Sequence, residues 1–383
     1  MQHNTHSNTS QNPLDSLPQR RLYHLNHANI SFVFTPNTRD FVVKEIPLYE
    51  ASQSGEHLML YVRKKGLSTF ELIKILSNTL GIKSKHIGYA GLKDKAPTTY
   101  QYLTIPKACE LNLSQSVQTL EEKNIKILDI KAHCNKLKIG HLRGNEFFVR
   151  LKKVTPIEYR KIQNALQTLE NEGFPNYFGA QRFGNEGDNF LQAKTIKKNP
   201  YDKKLARFLH SSLQSHLFNA WLCKRIEFSK IFAHFSMKEI AKIPEISNLG
   251  LNTKALQALY NQTHFFKIFC GDVAKHYPHG KLFHIKEPKE ESLRFIKREI
   301  IPTGALSGVK LFNAQDIAQK IELPFLDSTL REIGSRRYAW VFVENLKIEY
   351  KPQDAQMELF FYLPKGSYAT VLLEAIKNSP LTP

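Results

Sequence analysis

The chain contains 383 residues, a length typical of two or three domains, and its hydrophobic content of 42% is sufficient for packed cores. The formal charge of +19 comes from 54 basic and 35 acidic residues, so the protein should attract polyanions, nucleic acid among them, with a salt-sensitive affinity. No apolar run reaches the roughly 18 residues that a membrane-spanning helix needs, which argues against a membrane protein.

The cysteines and the N-terminal segment indicate a cytoplasmic protein. None of the cysteines forms a Cys-x-x-Cys pair, and their wide spacing favours reduced thiols and gives no zinc signature. They are Cys109, Cys134, Cys223 and Cys270. Residues 1–25 are predicted to be a flexible tail, because the first twenty are rich in Asn, Gln, Ser and His and lack the apolar core of a signal peptide.

The first globular elements are predicted to be two strands followed by a helix. Phe41–Ile46 and His57–Arg63 have the composition of strands. Ser68 then begins a capping box with Glu71, apolar residues follow at helical spacing, and Gly81 is placed to end the helix. This helix should pack on the sheet and support the loop that follows it.

That loop carries the chain's first candidate for a catalytic residue. Asp94 lies between two lysines in a turn rich in Gly and Pro, within Gly88–Gln101. The short extended run Ile87–Ala90 precedes the turn, and Thr99–Ile105 follows it with the alternation of a strand. A carboxylate displayed between strands is well placed for catalysis, and the flanking cations should favour its ionised form. The alternative is a solvated surface turn.

A second group of elements combines basic and aromatic residues. Asn135–Arg143 alternates cations in its first half, which suits either a phosphate contact or a solvated sheet face. In the strand that follows, Phe147 shares a face with Val149 and Leu151, so the pattern alone assigns it to the core. Thr155 and the Pro after it then begin a helix.

The remaining segments indicate a change of composition and then a return to strands. The loop Asn176–Gly184 contains three aromatic residues and Arg182, a combination that suits nucleotide stacking or an inter-domain hinge packed by its own aromatics. The later predicted elements are a helix over Leu205–Ser229, strands within Phe265–Ile285, a helix over Ile317–Arg331 interrupted at Pro324, strands at Leu346–Tyr350 and Met357–Leu363, and a final helix capped by Ser367.

Five motifs in this order resemble the TruD family of tRNA pseudouridine synthases. The match extends over nearly the whole chain, and its most specific part is the aromatic loop. The motifs are Asp40-Phe41, Gly91-x-Lys93-Asp94 with Thr99-x-Gln101, Leu142–Phe147, Pro175–Gly184 and Leu363–Thr370.

The resemblance implies an α+β fold: a pseudouridine-synthase-like catalytic core with a mixed, mainly antiparallel sheet, and an inserted α/β second domain, the TRUD domain. It places the catalytic domain in residues 26–172 and 338–383 and the inserted domain in 173–337, with the latter forming the other wall of a basic RNA cleft. It further implies conversion of uridine, usually uridine 13 of tRNA, to pseudouridine without a metal or cofactor.

The resemblance also implies roles for individual residues. Asp94 would be the catalytic carboxylate, whether it adds to C6 of the base, attacks C1′ or abstracts a sugar proton. The implied substrate-binding residues are Phe41, Lys93, Asn145, Phe147, Arg182 and Tyr368. Relatives often carry a Lys just upstream of the Asp-Phe pair, whereas this chain has Phe34, Thr35 and Pro36 there, with Arg39 the closest cation. The basic partner of Asp94 is therefore left unassigned.

Two functions of other classes stay open at this point. A noncatalytic RNA-binding protein would keep the basic surface but have no activity for an Asp94 substitution to remove. A carboxylate-dependent enzyme acting on a small anionic metabolite would show little affinity for tRNA and no steep salt dependence. Neither the particular tRNAs used nor the oligomeric state follows from the sequence.

Overall fold

A computed structural model describes residues 21–184, 186–195 and 203–381. The chain divides into two compact units. One, the eight-stranded unit, comprises His27–Gly173 and the segment from Phe342 onwards; the other, the four-stranded unit, comprises Phe174–Val341 and the described residues 21–26. Their roles as catalytic and inserted domains stay predictions.

In chain order, the elements up to Gly173 belong to the eight-stranded unit, those within Phe174–Val341 to the four-stranded unit, and the remaining ones to the eight-stranded unit again. The strands are β1 (Phe41–Pro47), β2 (His57–Lys64), β3 (Gly88–Tyr89), β4 (Thr98–Pro106), β5 (Ile125–His133), β6 (Leu142–Lys152), β7 (Phe174–Pro175), β8 (Val273–His276), β9 (Leu282–His284), β10 (Ile300–Leu306), β11 (Ser335–Tyr338), β12 (Trp340–Val341), β13 (Glu344–Lys351) and β14 (Gln356–Pro364). The helices are α1 (Thr69–Leu80), α2 (Glu110–Gln115), α3 (Val117–Glu122), α4 (Pro156–Glu172), α5 (Asn189–Thr195), α6 (Lys203–His234), α7 (Met237–Ile240), α8 (Pro244–Ser247), α9 (Thr253–Tyr260), α10 (Pro288–Ile296), α11 (Asp316–Glu322) and α12 (Ala369–Lys377).

One mixed sheet organises the eight-stranded unit. Its order is β13-β14-β6-β1-β4-β2-β5, and β3 pairs with β4. Strands β1 and β4 run parallel, whereas the other pairs in this sheet are antiparallel. The predicted α+β class with a mainly antiparallel mixed sheet is confirmed. The parallel pair joins the strand that follows the Asp94 loop to the strand that begins at Phe41.

Local sequence signals begin α1 and α4 of this unit as predicted. Ser68 and Glu71 form the capping box of α1, and Gly81 ends that helix with φ 68°, in the left-handed region that glycine tolerates. Thr155 accepts from the backbone N–H of Glu158 at the start of α4, with Pro at the first helical position. At α12 the prediction was wrong, since the N-cap is Tyr368 and not Ser367.

One face of the sheet is covered by helices. Leu60 and Val62 of β2 point to this face, and Leu103 of β4 joins them in a core completed by apolar residues of α1 such as Leu72 and Leu76. Burial of such side chains contributes roughly 1.5–3 kcal/mol each. Because strand residues alternate between faces, every second residue of β2 counted from Val62, and of β4 counted from Leu103, points to this same face.

The four-stranded unit is built around the 32-residue helix α6 and an antiparallel sheet of order β11-β10-β8-β9, with β7 and β12 as a separate pair. The strands expected within Phe265–Ile285 are limited to β8 and β9, and the preceding residues 265–271 form a buried loop. Among the described residues, none of the helices combines the length and apolar character that crossing a bilayer requires.

A buried ion pair explains that loop. Arg225 of α6 is 1% exposed and makes a two-pronged contact with Asp272, at 2.6 and 2.8 Å, while it also donates to the carbonyl of Lys267. Its guanidinium lies 4.9 Å from the ring centres of both Phe266 and Phe269. The loop therefore wraps an arginine rather than continuing a sheet, which is why its aromatic residues do not alternate in burial.

Removing one partner of this pair should destabilise the four-stranded unit selectively. Asp272→Asn leaves the guanidinium buried without a counter-charge, a change that typically costs about 3–5 kcal/mol. Both tryptophans of the chain, Trp221 and Trp340, lie in this unit, so tryptophan fluorescence during urea unfolding reports on it directly. The matched control is Glu227→Gln, which breaks the exposed pair of Glu227 with Lys224 and should cost at most about 1 kcal/mol. Equal unfolding midpoints for the two variants would contradict the assigned role of the pair.

Candidate active site

The Asp94 loop connects β3 to β4, as predicted, and its backbone is held from two sides. On α1, the Thr69 N–H donates to the carbonyl of Lys93 (3.1 Å), and the Thr69 hydroxyl accepts from the Lys93 N–H (2.8 Å). On β2, the ammonium of Lys64 donates to the carbonyl of Asp94 itself at 2.9 Å. These bonds fix the backbone at the residue that displays the carboxylate.

The two lysines that flank Asp94 are bound to other carboxylates. Lys93 pairs with Glu45 of β1 at 2.5 Å, with both side chains buried, and Lys95 pairs with Glu71 of α1 at 3.0 Å near the surface. Among the described residues, none donates a hydrogen bond to the carboxylate of Asp94. The carboxylate is thus positioned through its backbone and keeps its oxygens available.

Two opposing effects act on the pKa of Asp94. Asp94 has surface in contact with solvent, but many protein atoms lie close around its carboxylate and displace water from it. This partial desolvation raises the pKa of Asp94 and is the larger effect, while the positive charges of Lys64 and Lys93 lower the pKa. The predicted influence of flanking cations is therefore present for Lys93, but burial outweighs it, and the net pKa is above the usual value for an aspartate.

Glu45 connects the loop to the strand that carries Asn145. Within the sheet, Glu45 of β1 lies opposite Asn145 of β6, and Val43 lies opposite Phe147. The amide oxygen Oδ1 of Asn145 is buried and has no hydrogen-bond partner within the described part of the chain. An acceptor without a protein partner beside a candidate catalytic loop is available to a ligand.

Phe41 and Phe147 belong to a stack of aromatic rings beside Asn145. The ring of Phe147 lies 6.2 Å from that of Phe41 and 5.3 Å from that of Phe361, with interplanar angles of 14° and 21°. Phe41 and Phe147 are only 6% and 7% exposed. The core position predicted for Phe147 from its pattern is confirmed. Phe147 follows Asn145 by two residues on β6, so both side chains lie on the same face of the sheet. The aromatic stack therefore forms an apolar surface beside Asn145.

Tyr368 follows the strand that lies on the other side of β6. Leu363 of β14 is directly opposite Asn145, and the N–H of Lys365 donates to the carbonyl of Arg143 at 2.9 Å. Tyr368, half-buried at the start of α12, therefore comes three residues after a segment tied to β6. Gly144 permits this close approach, because a Cβ there would lie 2.3 Å from the carbonyl of Leu363.

Arg182 belongs to the other, four-stranded unit. Its guanidinium donates to the hydroxyl of Ser215 at 3.2 Å and to that of Ser211, and it lies 5.9 Å from the centre of the Phe178 ring. Tyr177 and Phe178 in the same loop are buried, which fits the alternative that the loop is packed by its own aromatics. The predicted contact of Arg182 with substrate stays a prediction.

Sequence reasoning missed two charged residues of the site, Lys64 and Glu45. A signal was present for Lys64, since Leu58, Leu60 and Val62 form a buried row along β2 and the same alternation places residue 64 inside. Glu45 is likewise in phase with the buried residues of β1. A charged residue in phase with an apolar row is the pattern that would have found both.

The described residues contain no cluster of three His, Cys, Asp or Glu side chains arranged to hold a metal ion. All four cysteines carry free thiols.

Comparisons with known proteins assign the family. A family profile described as tRNA pseudouridine synthase D (TruD) matches residues 19–209 and 193–376. The tRNA pseudouridine synthase D of Helicobacter hepaticus is 50% identical over 370 residues, covering 94% of this chain and 96% of the relative. That of Wolinella succinogenes is 48% identical over 361 residues, covering 94% of this chain and 98% of the relative.

A solved structure supports the fold. The crystal structure assigned as a tRNA pseudouridine synthase D (TruD) from Methanosarcina mazei superposes with a TM-score of 0.61, over 94% of this chain and 96% of that one, at 22% sequence identity. At this identity the similarity concerns the fold alone. Together with the extended sequence matches, these findings show that the chain belongs to the TruD family of tRNA pseudouridine synthases, isomerases that convert uridine to pseudouridine in tRNA.

Proposed function

We propose that this chain converts uridine to pseudouridine in tRNA, at position 13, with Asp94 as the catalytic carboxylate. The single observation that carries the assignment of Asp94 is its geometry: the backbone is held by Lys64 and Thr69, and the carboxylate accepts no hydrogen bond from any residue of the described ranges. A carboxylate fixed in this way is prepared for a substrate rather than for a structural partner.

The reaction requires a carboxylate and no redox change. The bond between C1′ and N1 breaks, the uracil rotates, and C1′ joins C5. The hydrogen on C5 then leaves to solvent, and N1 gains a proton, so atoms and electrons balance. The ionised form of Asp94 serves as a nucleophile toward C6 or C1′, or accepts a proton from the sugar. Each route needs the same carboxylate in the same place.

Asn145 supplies recognition of the base. Its unpaired Oδ1 is a suitable acceptor for the N3–H of uracil, a donor that cytosine lacks. The stacked rings of Phe41 and Phe147 provide an apolar wall, and Tyr368 provides a further aromatic side chain. The base must leave its own stack to reach such a site, and contacts of this kind compensate for that loss.

The rest of the assignment concerns the domains and the RNA. We assign the catalytic domain to the eight-stranded unit, because Asp94 and the predicted substrate-binding residues other than Arg182 lie in it. The net charge of +19 supports binding to the phosphate backbone of tRNA, so affinity should fall as salt rises. The tRNA substrate implies a cytoplasmic location.

The substitution Asp94→Asn should abolish the reaction with little effect on RNA binding. We expect release of tritium from tRNA labelled at uridine C5 to fall by at least about 10²-fold, since loss of a catalytic acid or base typically costs 10²–10⁴. The control is Asp129→Asn, an exposed aspartate paired with Lys131, which should react at the wild-type rate. Release by Asp94→Asn at the wild-type rate would remove Asp94 from its role. Binding of tRNA without release by the wild type would instead favour a noncatalytic RNA-binding protein.

The substitution Asn145→Leu should weaken catalysis without weakening the fold. Loss of one buried hydrogen bond to the base costs about 1–3 kcal/mol, so kcat/KM should fall roughly 5- to 150-fold. Because Oδ1 accepts no hydrogen bond from the described part of the chain, an apolar replacement of similar shape should leave the melting temperature unchanged or raised. Asn164→Ala on the exposed surface of α4 is the control. A stability loss equal to the catalytic loss would show that Asn145 is structural.

A further inference from the structure

Lys64 is a buried lysine at the end of β2 that lies outside all five sequence motifs. Its side chain is 0% exposed, which is rare for lysine. Within the sheet it lies opposite Thr99 of β4 on one side and Ile125 of β5 on the other. It continues the apolar row of β2 to the strand end that faces the Asp94 loop.

Among the residues that the structure describes, the ammonium of Lys64 is bound by backbone carbonyls only. It donates to the carbonyl of Asp94 at 2.9 Å and to that of Leu67, in the turn that leads into α1. Within the described ranges it forms no ion pair with any carboxylate. Lys64 therefore joins the end of β2, the start of α1 and the Asp94 loop through one cation.

The charge of Lys64 acts on Asp94 more freely than that of Lys93. Lys93 is paired with Glu45 at 2.5 Å, so the negative charge of Glu45 offsets much of its field. Lys64 has no such partner, and its surroundings are buried and screen little. Arg39, the cation closest in sequence to the Asp40-Phe41 motif, is exposed to solvent. These contacts leave Lys64 as the cation best placed to favour an ionised Asp94.

Burial lowers the pKa of Lys64 to about 8, which still leaves it mostly protonated at pH 7. The charged groups that act on it are Asp94 and Lys93 from the loop and Glu71 from α1; the two carboxylates raise its pKa and Lys93 lowers it.

We propose that Lys64 is a positioning residue for the reaction, which fixes the loop at Asp94 and supplies the positive charge that keeps the Asp94 carboxylate ionised. This inference rests on the proposed function of Asp94. Lys64 acts through Asp94 and not through the RNA, because a side chain with no exposed surface cannot contact a phosphate.

The test compares Lys64→Gln and Lys64→Arg with the wild type in single-turnover tritium release from C5-labelled tRNA. Gln keeps an N–H donor for the carbonyls and removes the charge, whereas Arg keeps both. We expect Lys64→Gln to lower the rate at saturating tRNA roughly 10- to 100-fold, as for loss of a charged hydrogen bond, without changing tRNA affinity or its salt dependence. Lys64→Arg should recover most of the rate.

The pH profile separates electrostatic from purely structural effects. Loss of a nearby cation raises the pKa of a carboxylate, so the acid limb of the rate profile should move to higher pH in Lys64→Gln, by about one unit. The limb should stay in place in Lys64→Arg. The matched control is Lys65→Met, since Lys65 is the next residue but is exposed, and its loss should leave both rate and acid limb unchanged.

Several results would overturn the proposal. A lower rate in Lys64→Gln with an unmoved acid limb would reduce Lys64 to a structural residue, and a rate equal to that of the wild type would remove its role altogether. If Lys64→Gln fails to fold by circular dichroism, Lys64→Arg decides: a shifted limb in that folded variant contradicts the proposal, and an unshifted limb with a near wild-type rate supports it. Absence of tritium release by the wild type itself would refute the proposed function instead.

Discussion

The candidate site depends on the anchoring of one loop to the ends of neighbouring elements. Lys64 of β2 and Thr69 of α1 hold the loop backbone, and Lys93 links it to Glu45 of β1. A loop residue is ordinarily mobile, yet displacement of a reacting group by about 1 Å can cost 10²-fold in rate. These contacts hold the loop backbone, and with it the Asp94 carboxylate, in a fixed position relative to the sheet.

The same contacts determine the electrostatic environment of the Asp94 carboxylate. Burial raises the pKa of Asp94, and nearby cations lower it, so the carboxylate is held without being neutralised by a direct partner. Asn145 presents a complementary feature, an acceptor left unpaired on the adjoining strand pair. A buried acceptor without a partner is a cost to stability, and the N3–H of a bound uridine would supply the partner that the Oδ1 of Asn145 lacks among the described residues.

Much of the local structure could be predicted from the sequence. The capping box at Ser68, the Thr155 cap and the position of Asp94 between strands follow from short-range patterns, which the chain satisfies without tertiary help. The buried loop near Phe266 could not be predicted, because its conformation depends on Arg225, which lies about forty residues earlier in the sequence and meets the loop only in the fold. Glu45 and Lys64 are in phase with the buried positions of their strands, which is a signal in the sequence. Their partners, Lys93 for Glu45 and the carbonyls of Leu67 and Asp94 for Lys64, meet them only in the fold.

The most direct test of the account is to map pseudouridine at position 13 of tRNA in the source organism with the gene deleted. We expect pseudouridine to be absent at this position in the deletion strain, to return with the wild-type gene, and to stay absent with the Asp94→Asn gene expressed at the same level. Pseudouridine that persists in the deletion strain would contradict the assigned substrate position. Restoration by Asp94→Asn would contradict the central claim that this carboxylate performs the reaction.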